Sequence, residues 1–133
     1  MTIECIQPAG LMEVPGLAQV IVARGSQFVF ISGQTPLTAD GALVGEGNLG
    51  EQARHVFTNL KTALSAANAT IADVVRTTVY VVDYTPNMLD ELYPPAYEVF
   101  GDGFTAGTST LLGVQSLFMP GQLLEIDAIA ILD

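Results

Sequence analysis

Residues 123–132 read Leu123-Leu124-Glu125-Ile126-Asp127-Ala128-Ile129-Ala130-Ile131-Leu132. Side chains alternate faces along an extended strand, so Glu125 and Asp127 share one face while Leu124, Ile126 and Ala128 share the other. A carboxylate in so apolar a strand has two economical explanations: a wet sheet edge, where it discourages aggregation, or a position held for chemistry. Both readings stand for Glu125. The run before it, residues 108–118, also has strand character. A Pro120-Gly121 turn separates the two runs, so they are expected to form a closing hairpin. No Lys or Arg follows Arg76 anywhere in the chain.

Working outward, residues 3–6, 17–23 and 27–32 are expected as strands. The link Arg24-Gly25-Ser26 has a hairpin's length, and Ser32-Gly33-Gln34-Thr35-Pro36 ends the third strand. Asn48, with Glu51 three residues on, marks a helix start. Leu49, Ala53, Val56, Phe57, Leu60, Leu64 and Ala67 then recur at helical spacing, and Asn68 suits a left-handed cap. Residues 73–83 contain a β-branched run that predicts a strand, with Arg76 on the face of Val74, Thr78 and Tyr80. Thr85-Pro86 opens a helix that Pro94-Pro95 must break, with a second piece over 96–100 stopping at Gly101. The order β-β-β-α-β-α-β-β defines an α+β domain, a mixed sheet with two helices on one face.

The chain's 133 residues suffice for one domain. Half are hydrophobic and 14% are charged, against about 25% in a typical globular protein. That deficit points to surface buried between subunits. A net charge of −10, with cations only at Arg24, Arg54, Lys61 and Arg76, argues against nucleic acid and anionic membranes. One Cys and one His make a zinc site an unlikely design, and no phosphate loop is present. Neither a metal nor a cofactor is expected. With no signal-like or membrane-spanning run, the default compartment is the cytoplasm.

Several residues invite a chemical role. His55 lies one turn from Glu51 with no nucleophile paired to it by motif, so a solvated helix histidine is expected. Cys5, in an apolar strand, reads as a small buried hydrophobe. Ser32-Gly33 and the stretch Gly107-Thr108-Ser109-Thr110 each offer amides and hydroxyls to an anion, though either also reads as an ordinary turn. Glu125 stands apart, because Ser32-Gly33 also ends a strand and is placed to approach it at the sheet's end.

The segments Ile31-Ser32-Gly33-Gln34-Thr35-Pro36, Gln52-Ala53-Arg54, the run from Asp73 through Val81 and the terminal Leu124-Glu125-Ile126-Asp127-Ala128-Ile129-Ala130 together resemble the Rid family. This is the reactive intermediate deaminase family, also called YjgF or L-PSP endoribonuclease-like. The resemblance covers nearly the whole chain and implies a chorismate-mutase-like fold, a homotrimer and small-molecule clefts between subunits. The best-known members hydrolyse 2-imino or enamine acids to 2-oxo acids and ammonia. Carried over, the water-positioning glutamate is Glu125 and the cleft-lining strand end is Ser32-Gly33. The family's cleft tyrosine falls at Leu17, and its carboxylate-binding arginine falls at Ser109, in a loop that holds no arginine. Pro94-Pro95 sits where members continue a helix bordering the cleft.

A desolvated guanidinium–carboxylate pair is worth on the order of 2–5 kcal/mol when one partner is removed, and Thr108, Ser109 and Thr110 supply no charge in its place. The resemblance therefore implies an imine or enamine deaminase of altered substrate scope, with Glu125 polarising water. The alternative is a non-catalytic binding or chaperone-like homologue, and ribonuclease activity is disfavoured by charge. Arg24 or Arg76 of a neighbouring subunit is the remaining candidate for the missing cation.

Overall fold

The computed structural model describes residues 2–133. Strand β1 (Thr2–Ile6) pairs antiparallel with β2 (Val20–Arg24) in a two-stranded ribbon. Strands β3 (Gln27–Gln34), β4 (Val74–Val82), β5 (Thr108–Val114) and β6 (Leu124–Leu132) form a mixed sheet in the order β3-β6-β4-β5. Helices α1 (Leu49–Ala66), α2 (Leu89–Leu92) and α3 (Pro94–Phe100) cover one face. The expected α+β architecture is therefore the observed one.

Both expected hairpins are absent, for related reasons. Strand β6 carries a wholly apolar core face, with Leu124, Ile126, Ala128 and Ala130 all buried. It occupies the centre, antiparallel to β3 on one side and β4 on the other, where its backbone groups are paired on both edges. Strand β5 is left to pair parallel with β4. A parallel pair needs a crossover of a dozen residues or more, which residues 83–107 supply with α2 and α3. At the other end, Gly25-Ser26 leads the chain from ribbon into sheet, and the Ser26 amide donates to the Leu132 carbonyl at 2.9 Å. Because β6 is central, the edge-gatekeeper reading of Glu125 and Asp127 fails.

Smaller corrections follow from the same layout. Strand β2 starts at Val20, so Leu17 lies in the preceding loop. Cys5 is exposed, because no layer covers its side of the thin ribbon. Strand β3 runs through Ser32-Gly33 to Gln34. A register shift between Val74 and Arg76 turns Val74 into the core, away from the face of Arg76. His55 is half-buried, with Nε2 3.0 Å from the Leu37 carbonyl oxygen.

Helix α1 forms as its spacing predicts. Asn48 Oδ1 accepts the Glu51 amide hydrogen at 3.0 Å, while the Asn48 amide donates to Gly45 rather than to a reciprocal box. Leu49, Ala53, Val56, Phe57, Leu60 and Leu64 are buried against the sheet and α3. Asn68 adopts φ 58° beyond the helix end. The break after α2 falls at Tyr93, and the two prolines take the first turn of α3, where missing amide hydrogens cost nothing. No described helix is long and apolar enough to cross a membrane.

One buried polar side chain joins these parts. Gln52, on the first turns of α1 and fully buried, donates to the carbonyls of Gly45 (3.1 Å) and Gly121 (2.9 Å) and accepts the Leu123 amide hydrogen at 2.8 Å. It thereby fixes where β6 begins. Gln52→Leu leaves the Leu123 amide and the Gly121 carbonyl without this partner, and an unpaired buried group costs about 1–3 kcal/mol. The expected loss is therefore about 2–4 kcal/mol in denaturant unfolding. A change below 0.5 kcal/mol, on the order of a neutral surface substitution, would contradict the clamp.

Candidate functional site

The face of the sheet away from the helices is open. On it β6 presents Glu125 and Asp127, and β4 presents Arg76, Thr78 and Tyr80. Across the β4–β6 register Tyr80 lies opposite Glu125 and Thr78 opposite Asp127. The Tyr80 hydroxyl donates to Asp127 Oδ2 at 3.4 Å, and the neighbouring Asp127 charge holds the phenol above its ordinary pKa.

Strand β3 carries one extra residue against β6: Ile31 pairs with Ala128, but Gln34 pairs with Ile126. This bulge brings Gly33 against Glu125. A β-carbon there would lie 2.6 Å from the carboxyl carbon and 2.9 Å from Cγ, closer than real contacts allow, so only glycine leaves the carboxylate in place. Glu125 is half-buried and accepts no hydrogen bond from the described residues. Burial, followed by the nearby Asp127 charge, raises its pKa above the ordinary carboxylate value. A half-desolvated carboxylate with free lone pairs is suited to take a proton from water.

Beside it, a cavity of about 410 Å³ is lined by Phe30, Ser32, Gly33, Arg76, Thr78 and Asp127, among others. Arg76 Nη2 donates to Thr110 Oγ1 at 2.7 Å, so this guanidinium belongs to the open face. Arg24 lies on the ribbon opposite Thr2 and lines neither this cavity nor the one described next.

Strand alternation turns Ser109 to the opposite face from Thr108 and Thr110. Thr108 Oγ1 donates to the Val75 carbonyl at 2.7 Å. Ser109 Oγ shares a 2.8 Å hydrogen bond with the buried Thr77 hydroxyl, which also bonds the Ala106 carbonyl. Thr110 serves Arg76. Each hydroxyl is thus engaged within the chain. Pro94 is exposed on the first turn of α3 and lines neither cavity.

Leu17 lies elsewhere, in the wall of a cavity of about 670 Å³ between the 14–17 loop, α2, α3 and β5. Tyr84, Tyr93, Tyr97 and Leu111 share that wall. Sequence reading did not single out these tyrosines. Their spacing of 9 and 4 residues mixes a strand exit with a helix, and no single periodicity connects them.

An α+β domain with a bulge-seated strand carboxylate and no described metal cluster is the class that fold and site define. Residues 15–132 match the family described as Endoribonuclease L-PSP. The chain belongs to this Rid, or YjgF, family. The 3-aminoacrylate deaminase RutC of Acinetobacter baylyi is 30% identical over 129 residues, covering 96% of each chain. A RutC family protein of Synechocystis is 32% identical, covering 99% of this chain and 98% of its own. Among solved structures, the conserved Rid-family protein YyfB of Yersinia pestis, of unknown function, aligns over 99% of this chain and 100% of its own, with a TM-score of 0.90 and 33% identity.

The setting of Glu125 has a consequence for stability. Its folded pKa lies above its unfolded value, so the folded chain binds the extra proton between the two, and stability falls as pH rises through that window. Glu125→Gln should therefore raise the thermal midpoint at pH 7 and leave it unchanged below the ordinary carboxylate pKa. A variant less stable than wild type at pH 7 would mean that the charged carboxylate is stabilised by its surroundings.

Proposed function

We propose that this chain hydrolyses a reactive imine or enamine to a carbonyl compound and ammonia, and that its substrate lacks the carboxylate of a 2-imino acid. The observation that carries this reading is Glu125, half-buried on the Gly33 bulge and accepting no hydrogen bond from the described residues. In the reaction, a water oxygen attacks the carbon of the protonated imine while Glu125 takes one of the water protons, which gives a neutral carbinolamine. Glu125 returns that proton to the nitrogen, the C–N bond breaks, and ammonia leaves as the carbonyl forms and the hydroxyl proton passes to the Glu125 carboxylate. No redox partner or cofactor enters the balance. The 30% identical relative named as a 3-aminoacrylate deaminase supports this reaction class.

The substrate restriction rests on charge. No Lys or Arg lies in residues 104–114, and the hydroxyls there are already engaged. Substrate binding through a carboxylate then falls to Arg76 alone on the open face. Four cations and a net charge of −10 equally disfavour an RNA substrate despite the family's description. In this reading the protein is a homotrimer in the cytoplasm, with clefts between subunits. Phe28 and Phe30, 64% and 74% exposed on the open face, would then be covered. The second reading, a small-ligand binder without catalysis, is favoured by the same missing cation.

The test is ammonia release from 2-iminopropanoate, 2-iminobutanoate and the carboxylate-free propan-1-imine, each generated in situ. Light scattering on the same sample should give three times the 14.0 kDa chain mass. The expected result is the highest kcat/KM on propan-1-imine, with Glu125→Ala losing about 10²–10⁴-fold. A preference for 2-iminopropanoate that Arg76→Gln abolishes would overturn the substrate restriction. No rate above the spontaneous background on any of the three would leave the binding reading.

A further inference from the structure

A glycine amide nitrogen has no side chain beside it to hinder attack on a preceding carboxyl group, so Asp-Gly is a sequence at which a chain can rearrange itself. The chain has two such pairs, Asp40-Gly41 and Asp102-Gly103, and no Asn-Gly. All four residues are exposed. The two pairs differ in how the fold holds the glycine nitrogen.

Asp40-Gly41 sits in a tight, bonded turn. The Gly41 amide donates to the Thr38 carbonyl at 2.9 Å, the Thr38 amide to the Ala42 carbonyl at 2.9 Å, and the Ala42 amide to Thr38 Oγ1 at 3.1 Å. Leu37 and Leu43 bridge the base of that turn. Swinging the Gly41 nitrogen toward the Asp40 carboxyl therefore breaks a hydrogen bond. Asp102-Gly103 lies between α3 and β5, after the helix has ended at Gly101. The Phe104 amide spans this turn to the Gly101 carbonyl at 3.1 Å, while the Gly103 amide donates to no described residue. A β-carbon at Gly101 or Gly103 would meet nothing within 4 Å, so the Gly103 nitrogen moves in open space without losing a bond.

We infer that Asp102-Gly103 is a site of isoaspartate formation in the folded protein. The Gly103 nitrogen bonds to the Asp102 carboxyl carbon, its hydrogen leaves with the carboxyl hydroxyl as water, and a five-membered succinimide results. Water then opens the ring at one of its two carbonyl carbons. Opening at Cγ restores aspartate. Opening at the main-chain carbonyl carbon routes the chain through the Asp102 side chain, longer by one methylene and with a free carboxylate on the α-carbon. Nothing is oxidised or reduced, and no step depends on imine hydrolysis. The added length enters two residues before Phe104, whose buried ring packs 5.7 Å from that of Phe57 and 5.9 Å from that of Phe100. The rearrangement therefore loosens the contact between this turn and α1.

Trypsin separates the two candidates: Asp40 falls in the peptide 25–54 and Asp102 in the peptide 77–133. The full-length protein is aged at neutral pH and physiological temperature, folded and, in parallel, unfolded in urea. Isoaspartate is then counted in each peptide by methyl transfer from radiolabelled S-adenosylmethionine with an isoaspartyl methyltransferase. The folded protein is expected to label 77–133 about two- to tenfold more than 25–54, the factor that one hydrogen bond on Gly41 sets. In urea, where that bond is lost, the two labels should approach equality. Gly103→Ala, at a φ outside the left-handed region and with room for the methyl group, should fold as wild type and lose most of the 77–133 label. Asp102→Glu, whose ring would need a sixth member, should do the same. The thermal midpoint of wild type should fall as its 77–133 label rises, and that of Gly103→Ala should hold. Equal labelling of the two peptides in the folded protein, a ratio unchanged by urea, 77–133 label that survives both substitutions, or no label in either peptide would each overturn the inference.

Discussion

A single buried amide, Gln52, sets the frame in which the site is built. Its three hydrogen bonds, to Gly45, Gly121 and Leu123, join the first turns of α1, the loop before that helix and the turn that launches β6. A buried amide is costly unless its polar atoms are satisfied, and satisfaction here requires three distant backbone segments to meet at one point. That meeting point, at Leu123, lies one residue before β6 begins and two before Glu125. Because side chains alternate along a strand, a one-residue slip of β6 would bury Glu125 and Asp127 and expose Leu124 and Ile126. The clamp and the apolar face of β6 therefore specify the same register by separate means.

From that register the carboxylate's environment follows. The β3 bulge places Gly33 under Glu125, and the central position of β6 puts Asp127 and Tyr80 nearby in place of solvent. Both effects act in one direction, against the charged form of Glu125. It accepts no hydrogen bond from the described residues, which leaves its lone pairs for water or substrate. On the proposed function, the cation-poor stretch after Arg76 then restricts which substrates are welcome. In this account the reactive group is supplied by the fold, and selectivity is supplied by the absence of positive charge.

The parts of this picture differ in how far the amino-acid pattern alone discloses them. Helix α1 was legible because its apolar stripe, Asn48 cap and Asn68 terminus all report on local geometry. The pairing of Glu125 with Ser32-Gly33 was legible only as neighbouring strand ends, and the bulge that makes the contact was not. Strand order was misread for a physical reason: short turns suggest hairpins, but the centre of a sheet goes to the strand that gains most from two partners. In β6 that gain outweighs proximity in sequence, and it removes the edge explanation for its acids. The split of Ser109 from Thr108 and Thr110 followed from strand alternation once β5 was known to be extended through them. Gln52 could be quoted from a motif, but its bonds link positions up to 71 residues apart. The tyrosine cavity has the same character, since its rings come from a strand exit and a broken helix.

The central claim is that Glu125 is a destabilised carboxylate held ready to accept a proton. It is tested most directly by carbon-13 NMR titration of the glutamate side-chain carboxyls, with the Glu125 signal assigned from Glu125→Gln and the titration repeated in Asp127→Asn. The account predicts that Glu125 titrates at higher pH than the surface glutamates, and that Asp127→Asn lowers its midpoint without returning it fully to the ordinary value, because burial remains the larger cause. A Glu125 midpoint at or below that of the exposed glutamates would contradict it.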